Sequence, residues 1–350
     1  MVRRRRIPFN ENCALGKDAE EDFSIMISTP VNAAHETRRE LVEEIDQLRR
    51  QQHAVILAHN YQVPAIQDLA DFVGDSLGLA QAATEIDAPI IVMCGVYFMA
   101  ETVKILNPSR KVLIPDSRAG CSLADSITAE QLRAWKAEHP GAIVVSYVNT
   151  TAEVKAETDI CVTSGNAEAV IRSIPENQEI LFCPDMFLGS HLERVTGRKM
   201  HIWLGECHVH AGIRPQEMDV NRQRFPDADL LIHPECGCSS QFVWANGNGV
   251  MKSDRTFVLS TEGMLRHARQ SEQDSFLIAT ETGLLHRLEK EMPAKKFIPA
   301  DDHAVCRYMK MITLENLRES LRNLQPEVTV PDDVAEKARR SVSRMLAIKP

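Results

Sequence analysis

The sequence predicts an α/β protein of three αβα sandwich domains related by a pseudo-threefold axis, each around a four-stranded parallel sheet, with a candidate site at their junction. Three observations carry this. A strand–helix alternation recurs three times between residues 33 and 312. Its strands are almost continuously apolar, as expected of parallel sheets covered on both faces. Cys121, Cys207 and Cys306 each follow an apolar run that ends in a polar turn, with separations of 86 and 99 residues.

Residues 1–32 are polar and unpatterned and read as a loosely ordered extension. The first unit, 33–125, opens with an amphipathic helix over 33–51 and a buried strand over 53–59. The second, 126–211, has its helix over 127–138, with Thr128 as a plausible N-cap, and its strand over 142–147. The third, 212–312, repeats this over 215–224 and 228–233. Each unit continues through a short polar or helical piece to a second strand (71–76, 159–164, 256–261). A helix, a third strand (89–93, 180–182, 276–278), another helix (98–106, 187–195, 283–291) and a fourth strand (111–115, 200–204, 296–299) complete it. In the C-terminal segment 313–350 two more helices are expected over 313–324 and 331–346, with Pro331 at a first helical position. The third unit carries an insertion within 236–254, where Gly247-Asn248-Gly249 marks a loop.

Composition narrows the function. Forty basic against forty-nine acidic side chains give a net charge of −9. A protein that neutralises phosphates would show a basic excess, so no nucleic-acid partner is expected. The basic run Arg3–Arg6 leads into Asp18, Glu20, Glu21 and Asp22 without a signal-peptide core. The longest apolar run, 88–100, is too short for a bilayer, so no membrane partner is expected. Nine cysteines, an odd number in a long chain, suit a reducing cytoplasm with a few functional thiols. Cys94, Cys161 and Cys183 lie in apolar runs and read as small buried hydrophobes.

Ligands of parallel αβα sheets sit beyond the carboxyl ends of the strands. There the first strands end in His59-x-Tyr61, Tyr147-x-Asn149 and His233-x-Glu235, and the second strands in Ser76, Ser164 and Thr261, each opening a helix. His59 to Tyr147 and Ser76 to Ser164 both span 88 residues, close to the cysteine spacing. Taken singly, a serine before a helix is an N-cap, a strand-end histidine is structural and a cysteine is a packed thiol. A register shared by three units is what neither capping nor packing requires. Helix-start hydroxyls suit carboxylates or phosphates. His59, His233, Glu235, Tyr61 and Tyr147 can move protons. Three thiolates suit a soft metal site, either a 4Fe–4S cluster with one open iron or zinc with one open position. His208 and His210 flank Cys207, and either suits a supporting role. His191, His201 and His286 show no register and read as surface or structural residues. Cys236-x-Cys238 reads as a redox pair or an alternative ligand set, without counterparts in the other units.

These residues also carry a family resemblance. Ala58-His59-Asn60-Tyr61-Gln62, Gly74-Asp75-Ser76-Leu77, Gly120-Cys121-Ser122-Leu123-Ala124, Tyr147-Val148-Asn149-Thr150, Thr163-Ser164-Gly165-Asn166, His233-Pro234-Glu235-Cys236, Ser260-Thr261-Glu262-Gly263 and Cys306-x-x-Met309-Lys310 stand in the order found in the quinolinate synthase family, which the chain closely resembles over 53–317. The resemblance implies a cytoplasmic transferase of de novo NAD biosynthesis. It would condense iminoaspartate, supplied by L-aspartate oxidase, with dihydroxyacetone phosphate, losing phosphate and two waters to give quinolinate. It implies one 4Fe–4S cluster per chain on Cys121, Cys207 and Cys306, with the open iron as Lewis acid. It carries substrate binding onto His59, Ser76, Tyr147, Val148, Asn149, Ser164, His233, Pro234, Glu235 and Thr261. Glu235, His233, Tyr61 and Tyr147 are the catalytic candidates. Cys306 stands without neighbouring cysteines, so no local disulfide switch is expected, and the segment 242–252 is atypical.

Two other functions share a three-cysteine cluster. An aconitase-like hydro-lyase needs substrate-binding arginines, and none falls in register. A non-catalytic iron–sulfur sensor, like a structural zinc protein, gives no use to the hydroxyls and the His-x-Tyr and His-x-Glu ends.

Overall fold

The computed structural model describes residues 31–237 and 255–349. Apart from residues 31–40, which open the first helix, all that follows lies in the compact body that begins at Leu41. Its first sheet holds β1 (Ala54–His59), β2 (Phe72–Gly74), β3 (Ile90–Cys94) and β4 (Lys111–Leu113). The second holds β5 (Ile143–Tyr147), β6 (Ile160–Val162), β7 (Ile180–Cys183) and β8 (His201–Ile202). The third holds β9 (Asp229–Ile232), β10 (Thr256–Val258), β11 (Ser275–Ala279) and β12 (Lys296–Pro299). The three orders are β2-β1-β3-β4, β6-β5-β7-β8 and β10-β9-β11-β12, the same arrangement each time, and every pairing is parallel.

Register repeats as well. Ala58 pairs with Cys94, Ser146 with Cys183 and Ile232 with Ala279, so the central strands of all three sheets end level. The next residue of each first strand is His59, Tyr147 or His233, which explains why these side chains share one environment. The strands are short and their interiors fully buried: Ile56, Leu57, Val144, Val145, Leu230 and Leu231 are all at 0% exposure. Each such side chain contributes about 1.5–3 kcal/mol of transfer free energy.

Helices accompany the sheets among the described residues. In chain order they are α1 (Val31–Gln51), α2 (Pro64–Leu69), α3 (Ser76–Glu85), α4 (Tyr97–Leu106), α5 (Ala129–Glu138), α6 (Ala152–Ala156), α7 (Ala167–Ser173), α8 (Met186–Thr196), α9 (His208–Gly212), α10 (Pro215–Arg224), α11 (Thr261–Gln270), α12 (Leu284–Glu291), α13 (Leu314–Asn323) and α14 (Asp332–Ala347). Thr128 caps α5 through a full capping box with Gln131. The closing helix α14 docks on the second unit, where the Ser341 hydroxyl donates to the Lys155 carbonyl at 2.8 Å.

Three local expectations change. Pro331 is the N-cap of α14 rather than its first helical residue, because its ψ of 140° is extended. Cys207 enters a short helix, α9, rather than a plain turn. Ser164 sits in a turn three residues before α7 begins, unlike Ser76 and Thr261, which are first helical residues. There Thr163 N–H donates to Asn166 Oδ1 at 2.9 Å, so the side chain of Asn166 closes the turn before the helix. The extension 1–30, Cys238, Gly247-Asn248-Gly249 and the segment 242–252 lie outside the described residues.

Candidate active site

A cavity opens where the three sheets point their carboxyl ends, the place where ligands of parallel αβα sheets sit. His59, Tyr61 and Ser76 reach it from the first unit, Tyr147, Asn149 and Ser164 from the second, and His233, Glu235 and Thr261 from the third. Cys121, Cys207 and Cys306 line the same space. Val148 and Pro234 do not: Val148 borders a smaller apolar pocket beside Met93 and Phe98, and Pro234 is buried.

The three cysteine turns are built alike. Each sulfur accepts backbone N–H bonds from the second and third residues after it: Leu123 and Ala124 on Cys121, Val209 and His210 on Cys207, Tyr308 and Met309 on Cys306. Such bonds favour thiolate. Burial outweighs them and pushes Cys121 up to about 12 and raises Cys207 and Cys306 too, with Glu235 adding to the rise at Cys207. Half-buried thiols raised in this way are weak nucleophiles unless a cation holds them as thiolates. All three are free, and among the described residues no fourth cysteine lines the cavity. This donor set fits a group bound by three thiolates with one position left open.

Facing the cysteines is an acid–base network. Tyr147 donates its hydroxyl to Glu235 Oε1 in a short contact, and His210 Nδ1 lies 2.9 Å from Glu235 Oε2. The same His210 nitrogen is 3.3 Å from Cys207 Sγ. Its other nitrogen, Nε2, is 2.9 Å from Thr280 Oγ1, and Thr280 meets the Tyr61 hydroxyl at 2.6 Å. One chain of polar contacts therefore joins Tyr147, Glu235, His210, Thr280 and Tyr61. Burial alone would raise the Glu235 carboxyl. The His210 imidazole, with hydrogen bonds from His210 and Tyr147, instead holds it well below the usual carboxylate range. Burial, and then the Glu235 charge, raise both tyrosines, so they are neutral phenols.

His59 and His233 share a local device that fixes their tautomers. Tyr61 N–H donates to His59 Nδ1 at 3.1 Å, and Glu235 N–H to His233 Nδ1 at 3.4 Å. Burial lowers each imidazole to about 3, so both are neutral. With Nδ1 accepting, the proton rests on Nε2, which becomes a donor. His233 Nε2 lies 3.2 Å from Ser164 Oγ.

The hydroxyls at the helix starts are free of capping duty in two units. Asp75 caps α3, accepting from Gly78 N–H at 2.8 Å, and Ser260 caps α11, accepting from Gly263 N–H at 3.2 Å. Ser76 and Thr261 are thus available for other partners at the positive ends of ten-residue helices, and Asn60 Nδ2 donates to Thr261 Oγ1 at 2.9 Å.

Sequence reasoning gave no role to Thr280 or Glu281, which stand in the Ala279-Thr280-Glu281-Thr282-Gly283 block shared with the family, and it left His210 unassigned. Thr280 follows β11 at the position held by Gly95 and Pro184 in the other units, so no repeat signal marks it. Glu281 is wholly buried, accepts from Cys306 N–H at 3.0 Å and pairs with Lys310 at 2.8 Å. His208 turns the other way, with its Nδ1 2.8 Å from Ser122 Oγ next to Cys121. Cys94, Cys161 and Cys183 are buried at 0% exposure, away from this cavity, as small apolar residues. Cys236 is buried and disulfide-bonded. His201 and His286 pair with Glu179 and Asp68 on the surface, while burial lowers His191 to about 4. Among the described residues no helix is long and apolar enough to cross a membrane.

Comparison with known proteins places this geometry. The family described as Quinolinate synthetase A protein matches residues 43–347. The quinolinate synthase of Mycobacterium sp. (strain KMS) is 57% identical over 310 residues, 88% of this chain and 92% of the relative. That of Mycobacterium leprae (strain TN) is 56% identical over 306 residues, 87% of each chain. A quinolinate synthase of Thermus thermophilus is 53% identical over 308 residues, 88% of this chain and 97% of the relative. With three like sheets, three like cysteine turns and this extent of identity, the chain belongs to the quinolinate synthetase A family.

Proposed function

We propose that this enzyme condenses iminoaspartate with dihydroxyacetone phosphate to quinolinate, a transferase step of de novo NAD biosynthesis, with loss of phosphate and two waters. The observation that carries this reading is the juxtaposition in one cavity of three equivalent cysteine turns with an ionised carboxylate, two neutral phenols and two neutral imidazoles. Cys121, Cys207 and Cys306 would hold a 4Fe–4S cluster. Bound there, it would supply a Lewis acid at its open iron, able to polarise a hydroxyl or carbonyl oxygen.

The remaining work falls to side chains. Ser76 and Thr261, at the starts of α3 and α11, and Ser164 in its turn are placed to bind carboxylates and the leaving phosphate. His59 and His233 offer Nε2–H bonds that orient the same anions. Asn149 adds an amide from the second unit. Glu235 is the group able to accept a proton at neutral pH, and the phenols of Tyr61 and Tyr147 are able to give one to a departing oxygen. The path through His210 and Thr280 lets a proton taken at Glu235 reach Tyr61 without leaving the cavity.

The test is anaerobic purification followed by iron and sulfide analysis and an assay for quinolinate from the two substrates. Four iron and four sulfide per chain with quinolinate formation are expected. A folded, iron-free and active protein would overturn the cluster, and a loaded protein that makes no quinolinate would overturn the reaction. Zinc without sulfide would point instead to Cys207, His210 and Glu235, whose donor atoms lie within 4.8 Å of one another. An aconitase-like hydro-lyase is not favoured, since no arginine lines the cavity among the described residues. The link to L-aspartate oxidase, as the source of iminoaspartate, and a cytoplasmic location belong to the same proposal.

A further inference from the structure

At the opposite end of the second sheet, three side chains from separate segments converge. His139 is the C-cap of α5, Glu179 immediately precedes β7, and His201 opens β8. His139 Nδ1 lies 2.7 Å from Glu179 Oε1, and His201 Nε2 lies 2.8 Å from the same oxygen. The three donor atoms fall within 4.8 Å of one another. None of these residues lines the cavity, and no step proposed above uses them.

The backbone beneath the cluster is well anchored. His139 N–H donates to Lys136 O at 3.2 Å and His139 O accepts from Ala142 N–H at 3.1 Å. Glu179 O accepts from Ile143 N–H at 2.9 Å, and His201 pairs with Leu181 across the sheet. The rings are held as well. Those of His139 and His201 have centroids 4.2 Å apart, and Trp135 sets its edge against His139 at 6.4 Å. Bonds from His139 first, and then the neighbouring imidazoles, keep the Glu179 carboxyl below its ordinary range and so ionised at neutral pH.

We propose that His139 Nδ1, His201 Nε2 and a Glu179 carboxylate oxygen form a surface site for a borderline divalent cation of the zinc type. Two imidazoles and one carboxylate are a zinc donor set, and water completes four-coordination where solvent reaches the side chains. With metal–ligand bonds of about 2.0–2.1 Å, tetrahedral donors stand about 3.3 Å apart. The observed 2.7 and 2.8 Å contacts therefore need only a small outward movement of side chains that are 22–47% exposed. Occupancy would tie the end of α5 to β8. The chain leaving β8 runs through Trp203, which is anchored to the Ser126 carbonyl at 3.0 Å, to Cys207, so the cation would restrain the strand that delivers a cysteine to the cavity.

The test is calorimetric titration of the intact, cluster-loaded enzyme with zinc chloride under anaerobic conditions, repeated on His139→Ala/His201→Ala and on Glu179→Gln. One equivalent is expected to bind to the parent, with loss of that equivalent in the double variant and at least tenfold weaker binding in Glu179→Gln. Nickel is expected to quench the Trp135 and Trp203 fluorescence of the parent but not of the double variant. Circular dichroism and the visible absorption of the cluster report that the variants are folded and loaded, and His201→Gln, which changes a half-exposed ring, serves should the double variant fail to fold. Identical titrations of parent and variants, or no zinc uptake by the parent, would overturn the proposal and leave the cluster as hydrogen bonds alone.

Discussion

The cysteine turns and the loops after the central strands occupy equivalent places in all three units, yet they behave oppositely. The turns share one device, each sulfur taking two backbone N–H bonds, although that of Cys207 opens a short helix. The loops diverge: level with Thr280-Glu281 of the third unit stand Pro184-Asp185 in the second and Gly95-Val96 in the first. The first-strand ends diverge in the same way, with Tyr61, Asn149 and Glu235 at one register position. Threefold repetition supplies a holder whose parts are interchangeable. Acid–base chemistry needs a donor and an acceptor that differ, and those arise only where the repeat breaks. Environment sharpens the split, because Glu235 is held ionised while burial, aided by Glu235, raises Asp185 well above its usual value.

If the holder works as a unit, removing any one turn should abolish it. Cys207→Ala is expected to lose the iron and sulfide and to lower quinolinate formation by ~10³-fold or more, as a Lewis acid contributing several kcal/mol implies. Equal losses in Cys121→Ala and Cys306→Ala, measured by metal analysis, would establish that the turns are equivalent. A variant that kept its cluster would break the comparison. The diverged positions should respond differently. Glu235→Gln keeps the shape but removes the ionised oxygen, so kcat is expected to fall about 10²–10⁴-fold with iron content unchanged. Loss of iron in that variant would mean that Glu235 holds rather than acts.

How much of this was legible in the sequence follows the same division. The sheets, the cysteines and the strand-end residues His59, Tyr147 and His233 could be read because each is repeated at nearly constant spacing, and a repeat multiplies a weak local signal. Ser76 and Thr261 were placed correctly, but their freedom from capping was not visible, since it rests on Asp75 and Ser260 taking the cap one residue earlier. Thr280 had no readable role, because its contacts are with Tyr61 and His210, 219 and 70 residues away. His201 read as a surface histidine for a similar reason: its partner Glu179 comes from a neighbouring strand and gains meaning only beside His139. Val148 and Pro234 were drawn in by sitting between site residues, yet they lie in the bend and the turn that follow their strands and do not line the cavity.

Thr280 offers a finer test of the diverged loops. Thr280→Val keeps the shape and removes the hydroxyl that joins Tyr61 to His210, so kcat should fall about 10²-fold, the lower end for a proton-transfer contribution, with KM unchanged. Thr280→Ser should restore the rate. Failure of serine to rescue, or a change confined to KM, would assign Thr280 to packing or binding instead.

The smallest effect concerns stability, at a polar contact between the first two units. Glu101 on α4 accepts from Ala152 N–H at the start of α6 at 3.1 Å, and Lys155 is wholly buried nearby. The equivalent positions of α8 and α12 are Ser190 and His286, so this too is a break in the repeat. Burial raises the Glu101 carboxyl to about 7, with Lys155 opposing. A carboxyl raised on folding binds more protons folded than unfolded between its two values. Its contribution is therefore fully present below about 4.3, and stability is lost as pH rises through 7. Glu101→Gln retains an acceptor for Ala152 and does not titrate, so its Tm should exceed the parent's at pH 8, by about 1–3 kcal/mol in unfolding free energy, and converge with it near pH 5. Parallel Tm curves across that interval would mean that Lys155 neutralises the carboxylate in the folded protein, making the contact an ion pair that holds two units together rather than a proton held between them.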